Sequence, residues 1–183
     1  MARLLVSPST LLVVASVVAG SSGCVLETKV YDIDVRTRLI LAIQTTIDLN
    51  KYEISAIYKD RVYLGSKQVA PFNIQQDDAA CVTQGGYLLE IDNNEENKFT
   101  WDFAQRLGNT DYVATGANDI DQEGKFVFYH SKKPLPSNVT WLPNQPDDAG
   151  GNEDCMVHWI PRGGLNDIPC NLRVKYMCEI PLL

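Results

Sequence analysis

Five cysteines set the strongest constraint on this chain. Cys81, Cys155, Cys170 and Cys178 fall in its C-terminal part, and Cys24 stands alone near the other end. Cysteines so placed read as a disulfide framework, provided the chain reaches an oxidising compartment. The first residues supply that route. Met1-Ala2-Arg3 puts a positive charge ahead of Leu4-Leu5-Val6 and the apolar stretch 11–19, the charged start and greasy middle of a secretory signal peptide. Ser7, Pro8, Ser9, Thr10 and Ser16 interrupt the run, which falls short of the ~20 apolar residues a membrane span needs. Small residues at Ser21 and Gly23 permit cleavage before Cys24. Residues 1–23 are therefore expected to be a signal peptide, and the mature chain to be secreted and extracellular, with no membrane span. Four cysteines can pair in three ways, and the residues alone do not choose among them.

With 183 residues and 45% hydrophobic side chains, the chain can build one well-packed core plus an appendage. Its formal charge is −7, and removing residues 1–23 takes away Arg3 and no acid. Such a balance repels phosphate backbones, which argues against nucleic acid as a partner, and it supplies carboxylates for a hard cation. Composition shifts near Asp60: residues 24–60 contain no Gly, Pro or Trp, whereas 61–183 are rich in all three. In the first of these segments Ile33, Ile40, Ile47 and Ile54 recur every seven residues, with Arg36, Ile43, Asn50 and Ile57 three positions later. That heptad seam predicts a helical, coiled-coil neck over 24–60 that builds a homo-oligomer, and isoleucine at both seam positions leans toward three strands. Cys24, at its mouth, is the candidate for an interchain disulfide. Thr45-Thr46 are poor helix formers and keep open the alternative of a lone helix docked on its own domain.

From Arg61 onward the punctuation is richer. Arg61 to Leu64 reads as a short strand. A helix follows from about Ile74 to Gln84, capped by Asn73 with Gln76 and stopped by Gly85-Gly86. Tyr87 to Ile91 reads as a strand, and Asn93 with Glu96 caps a second helix to Leu107, whose buried face is Phe99, Phe103 and Leu107. Beyond Gly108 only short strand-like runs remain, at 112–115, 126–129, 155–160 and 174–180, between long polar loops. Two helices followed by a looped, strand-rich half predict an α+β domain.

The order of particular residues narrows this further. Cys81 is followed by Gly85-Gly86-Tyr87-Leu88, then Glu96 with Phe99, Gly116-Ala117-Asn118-Asp119 and Glu123-Gly124. Then come Trp141, Gln145-Pro146-Asp147, Glu153-Asp154-Cys155, Asn166-Asp167-Ile168-Pro169-Cys170 and Cys178-Glu179. From about Arg61 to Ile180 the chain resembles the C-type lectin-like family. The resemblance implies a carbohydrate-recognition domain over 61–183, with short antiparallel sheets and a long calcium-binding loop. It also implies the pairings Cys81–Cys178 and Cys155–Cys170.

Residues 145–167 carry Asp147, Asp148, Glu153, Asp154 and Asp167 beside Gln145, Asn152 and Asn166, all of them oxygen donors. Oxygen-only donors suit Ca²⁺, which takes six to eight of them, whereas zinc wants His or Cys. By resemblance, the principal calcium is held by Gln145, Asp147, Glu153, Asn166 and Asp167, which are also the carbohydrate-binding residues. An auxiliary calcium falls to Asp119, Glu123, Asp148 and Asp154. A cis Gln145-Pro146 bond is implied as well. One departure stands out: Leu165 occupies the position where the family usually has Trp.

The order Gln-Pro-Asp places an amide donor before a carboxylate acceptor, which in the family goes with galactose- and N-acetylgalactosamine-type glycans rather than mannose-type ones. No aromatic ring follows in Asp148-Ala149-Gly150-Gly151, leaving Trp159 or His158 on the adjoining strand to compensate. Asn138-Val139-Thr140 is an N-glycosylation acceptor. An enzyme is not expected. The only histidines are His130 and His158, no Ser stands on a strand-to-helix elbow, and calcium would consume the loop carboxylates. The competing reading keeps fold and cation but replaces sugar with protein, mineral or ice.

Overall fold

The computed structural model describes residues 4–6, 11–20, 23–32 and 47–182, and the chain divides into two compact units, 1–46 and 47–183. In the first unit, β1 (Leu4–Val6), β2 (Leu11–Gly20) and β3 (Gly23–Asp32) form a three-stranded antiparallel sheet. The second unit opens with β4 (Tyr52–Ile54), β5 (Arg61–Ser66) and β6 (Ala70–Pro71), followed by helix α1 (Ile74–Thr83) and β7 (Tyr87–Leu88). Helix α2 (Asn94–Ala104) runs on into a 3-10 turn at Gln105–Leu107. The remaining strands are β8 (Tyr112–Asn118), β9 (Val127–Phe128), β10 (Cys155–Trp159), β11 (Gly164–Ile168) and β12 (Arg173–Pro181).

Two expectations about the N-terminal part change. A neck helix over 24–60 is not what the described residues form, since Gly23–Asp32 is a strand and Tyr52–Ile54 is another. Val25, Thr28, Val30 and Tyr31 favour extended backbone, and the seven-residue repeat begins only at Ile33, after that strand. The heptad positions Ile33, Arg36, Ile40 and Ile43 lie outside the described residues. The boundary also moves from Asp60 to Ile47. Ile47 is buried and Tyr52–Ile54 pairs antiparallel with β5, so these residues complete the domain sheet.

Strand β12 organises that sheet. It pairs antiparallel with β5, β6 and β7 and parallel with β8, giving the path β11-β10-β8-β12-β5-β4. Parallel neighbours need a long crossover. Beneath the sheet, Tyr63, Leu89, Ile91, Phe103, Val113, Met156, Leu165 and Met177 form a continuous buried core. Each large apolar side chain so buried contributes on the order of 1.5–3 kcal/mol.

Both helix starts act as read, but neither capping box closes as expected: Asp77, not Gln76, accepts from Asn73 N, at 2.9 Å. The Asn73 side chain accepts from Gln76 N and that of Asn93 from Glu96 N. Glu96, expected to close the second cap, instead accepts from Asp92 N at 2.8 Å while its other oxygen enters a buried network. That oxygen takes the Tyr63 hydroxyl and Arg61 Nη1, and Arg61 also reaches Glu179 at 2.8 Å and Asp92 at 3.0 Å. One guanidinium thus ties β5, α2 and β12 together. Cys81–Cys178 joins α1 to β12 and Cys155–Cys170 closes the segment holding β10 and β11, the pairing implied by the resemblance. Gly86 is required by space: a Cβ there would lie 1.9 Å from Glu179 O.

Candidate functional site

The site is built on a hairpin and the loop that precedes it. Strands β10 and β11 pair antiparallel, with Met156 opposite Asp167 and Val157 opposite Asn166. Strand β11 was not legible in the sequence, because Gly164, Asn166 and Asp167 are poor strand formers. Pairing with β10 supplies what propensity lacks. As a result Asn166 and Asp167 stand on a hydrogen-bonded strand, both buried, rather than on a loop. Leu165, just before them on the strand, is fully buried in the core, with Trp141 packed against that core and Leu142 N bonded to Leu165 O at 3.0 Å.

Asp167 anchors the loop. Its two carboxylate oxygens accept from Asp147 N at 3.3 Å and Asp148 N at 2.8 Å. Asp148 Oδ1 accepts from Glu153 N at 3.0 Å, and Glu153 Oε2 accepts from Ala149 N at 3.1 Å. The Gln145–Pro146 peptide in the same loop is cis. These bonds bring one carboxylate oxygen each from Asp147, Glu153 and Asp167 within 4.8 Å of one another. A second group, Asp119, Glu123 and Asp154, gathers as closely. Asp148, expected to belong with that second group, is instead bonded into the loop, although its charge is felt at Glu123.

The electrostatics point the same way. Burial, with the charges of Asp167, Asp147 and Asp148, pushes the Glu153 carboxyl above its ordinary range, against the pull of Ala149 N–H. Burial pushes Asp119 up too, helped by Asp154 and Asp167 and opposed by Gly124 N–H, which donates to Asp119 Oδ2 at 2.8 Å. Glu123 is raised by desolvation and by Asp119, Asp148 and Asp154. Crowded carboxylates of this kind raise one another's proton affinity until a cation neutralises them.

The unpartnered oxygens give an independent test of whether a cation fits. Among the described residues, the buried side-chain polar atoms without a hydrogen-bond partner include Gln145 Oε1, Asn166 Oδ1 and Asp119 Oδ1. Each belongs to a residue that the resemblance assigns to calcium. A buried acceptor without a donor costs about 1–3 kcal/mol, and a metal ion is the partner that removes that cost without adding a proton. The donors are all oxygen, so the set fits Ca²⁺.

His158 is no part of this surface. It is fully buried, its Nε2 lies 3.1 Å from Thr100 Oγ1, and burial alone lowers its pKa to about 3. Trp159, next along β10, is half-buried, and it lines a cavity with Gln145. Asn138 is exposed at a turn.

A family model described as the Lectin C-type domain matches residues 71–180, more than half of the chain. The chain belongs to the C-type lectin domain family. The family is a non-enzymatic one. Among curated relatives, it is 36% identical over 111 residues to the hemolymph lipopolysaccharide-binding protein of Periplaneta americana, covering 56% of this chain and 43% of that one. It is 33% identical over 99 residues to Collectin-10 of Xenopus tropicalis, covering 54% and 35%. The chain thus spans less than half the length of either relative. Its fold matches the cow carbohydrate-recognition domain of CD23, with TM-score 0.57 and 24% identity over 75% of this chain and 98% of that one. It also matches the C-type lectin CEL-I from Cucumaria echinata, with TM-score 0.60 and 19% identity over 70% and 94%.

Proposed function

We propose that this C-type lectin domain chain is a secreted, calcium-dependent lectin that prefers galactose-type sugars. Two observations support the reading: the carboxylates of Asp147, Glu153 and Asp167 gather within 4.8 Å, and the amide oxygens Gln145 Oε1 and Asn166 Oδ1 are buried without a partner. Calcium bound by these five residues supplies open coordination positions for two neighbouring sugar hydroxyls. The side chains that hold the ion also orient the sugar. The Gln145 amide donates to one hydroxyl and the Asp147 carboxylate accepts from the next, and that polarity selects the galactose-type pair of hydroxyls. Asp119, Glu123 and Asp154 hold an auxiliary calcium that braces the loop.

The cockroach relative is named for lipopolysaccharide and for hemolymph, which agrees with a glycan ligand met outside cells. The apolar leader in 1–23 and the two disulfides support export. Export also makes Asn138 a glycan acceptor. Assembly through the segment that precedes the domain, with Cys24 in it, multiplies weak single-sugar contacts into avidity.

Retention on galactose-agarose in Ca²⁺, elution by EDTA and competition by galactose but not mannose are the expected results. Retention indifferent to chelator and to both sugars would overturn the reading in favour of a protein or mineral ligand.

A further inference from the structure

Gln145 borders more than the carboxylate cluster. It also lines a cavity of about 440 Å³ together with Asn144, Trp159 and Arg162. Trp159 ends β10 and Arg162 ends the 3-10 turn Ile160–Arg162 that follows it. Gly163, at φ 78° in the left-handed region, closes that turn by donating from its N–H to Trp159 O at 3.0 Å. The turn brings the guanidinium over the indole, 5.1 Å from the ring centroid, and Trp159 packs in turn against Tyr112 at 5.6 Å. The tryptophan is thus a pedestal for the arginine.

Among the described residues, Arg162 is exposed and makes neither a hydrogen bond nor an ion pair. The residues lining the cavity with it include no acid, so no carboxylate of that lining competes for the guanidinium. A guanidinium is always charged and presents a planar fork of donors that matches carboxylate, sulfate or phosphate. Stacking on the indole limits its rotamers before any ligand arrives, so less freedom is lost on binding.

We propose that this cavity is an anion-selective subsite, in which Arg162 pairs with a carboxylate, sulfate or phosphate group carried by the saccharide at the calcium site. The proposal rests on the lectin reading above and deepens it: the ligand is an acidic galactose-type glycan. Asn144 and Gln145 line the same cavity as Arg162, and Trp159 acts as a positioning residue that touches the arginine.

The test compares dissociation constants in Ca²⁺ for methyl galactoside, galactose 6-sulfate, galactose 6-phosphate, galacturonic acid and a galactosyl disaccharide sulfated on its second residue. At low salt the wild-type chain should bind at least one acidic probe about fivefold tighter than its neutral parent, and the gap should shrink as sodium chloride is added. The arms that show the gap identify the anion. Arg162→Gln should remove the gap and leave the neutral galactoside affinity unchanged, while Arg162→Lys should keep part of it. Equal affinities for acidic and neutral probes, or a preference that survives Arg162→Gln, would overturn the subsite and leave the lectin reading standing on the neutral galactoside. Absence of binding to every galactoside would overturn both.

Discussion

Asp147 and Asp167 do different work with the same functional group. Asp167, 1% exposed, spends both oxygens holding the loop backbone, so replacing it would disturb the loop as well as the ion. Asp147 is exposed, and only its backbone N–H is bonded. Asp147→Asn should therefore lower calcium and galactoside affinity by about tenfold or more, since a cation held by three carboxylates loses one charge. Far-UV circular dichroism should stay as in the wild type. Calorimetry with Ca²⁺ and methyl galactoside reads the result, and unchanged affinities would remove Asp147 from the ligand set. The candidate ligands could be proposed from the sequence because all five lie within residues 145–167, where order and spacing carry the signal. His158 was not legible: its place in the core comes from Thr100 on α2, far away in the chain.

Between β5, α2 and β12, the Arg61 network joins three elements through two almost fully buried carboxylates. Burial pushes Glu179 from 4.5 up to about 7, with Arg61 pulling it down and Glu96 pushing it up. A carboxyl raised in this way favours the folded state fully below its unfolded value near 4.5, and that contribution is lost as pH rises through about 7. Arg61→Gln leaves Glu96 and Glu179 without their cation, so it should destabilise the domain by about 3 kcal/mol at pH 8 and by distinctly less at pH 5. Urea unfolding at the two pH values measures the difference, and an equal loss at both would show that Glu179 does not titrate there. The loop over 143–153 poses a simpler question. Its clustered carboxylates repel one another without an ion, so chelation should speed limited proteolysis within the loop and Ca²⁺ should slow it. Equal cleavage under both conditions would contradict the loop's dependence on the cation.

For the whole domain, the two disulfides close loops of different length, with sequence separations of 97 and 15. Loop-closure entropy in the unfolded chain then sets an order: removing Cys81–Cys178 by a double serine change should cost up to about 4.7 kcal/mol, and removing Cys155–Cys170 about 3 kcal/mol. Urea midpoints of the two variants check that order, and the reverse order would mean that native-state packing outweighs the entropy of the open chain. Much of this molecule could be read from residue identity and near neighbours. The cysteine framework, the helix starts at Asn73 and Asn93, and the ordered ligands of the loop each express chemistry that acts over a few positions. Other features needed the assembled sheet. Strand β11 holds Asn166 and Asp167 because β10 supplies its hydrogen bonds, β4 replaces part of an expected helix because β5 offers an edge, and Glu96 turns from a helix cap into a buried ion-pair partner because Arg61 and Tyr63 meet it. Contacts between residues far apart in the chain made those choices, and their energies exceed the few tenths of a kcal/mol by which local propensities differ.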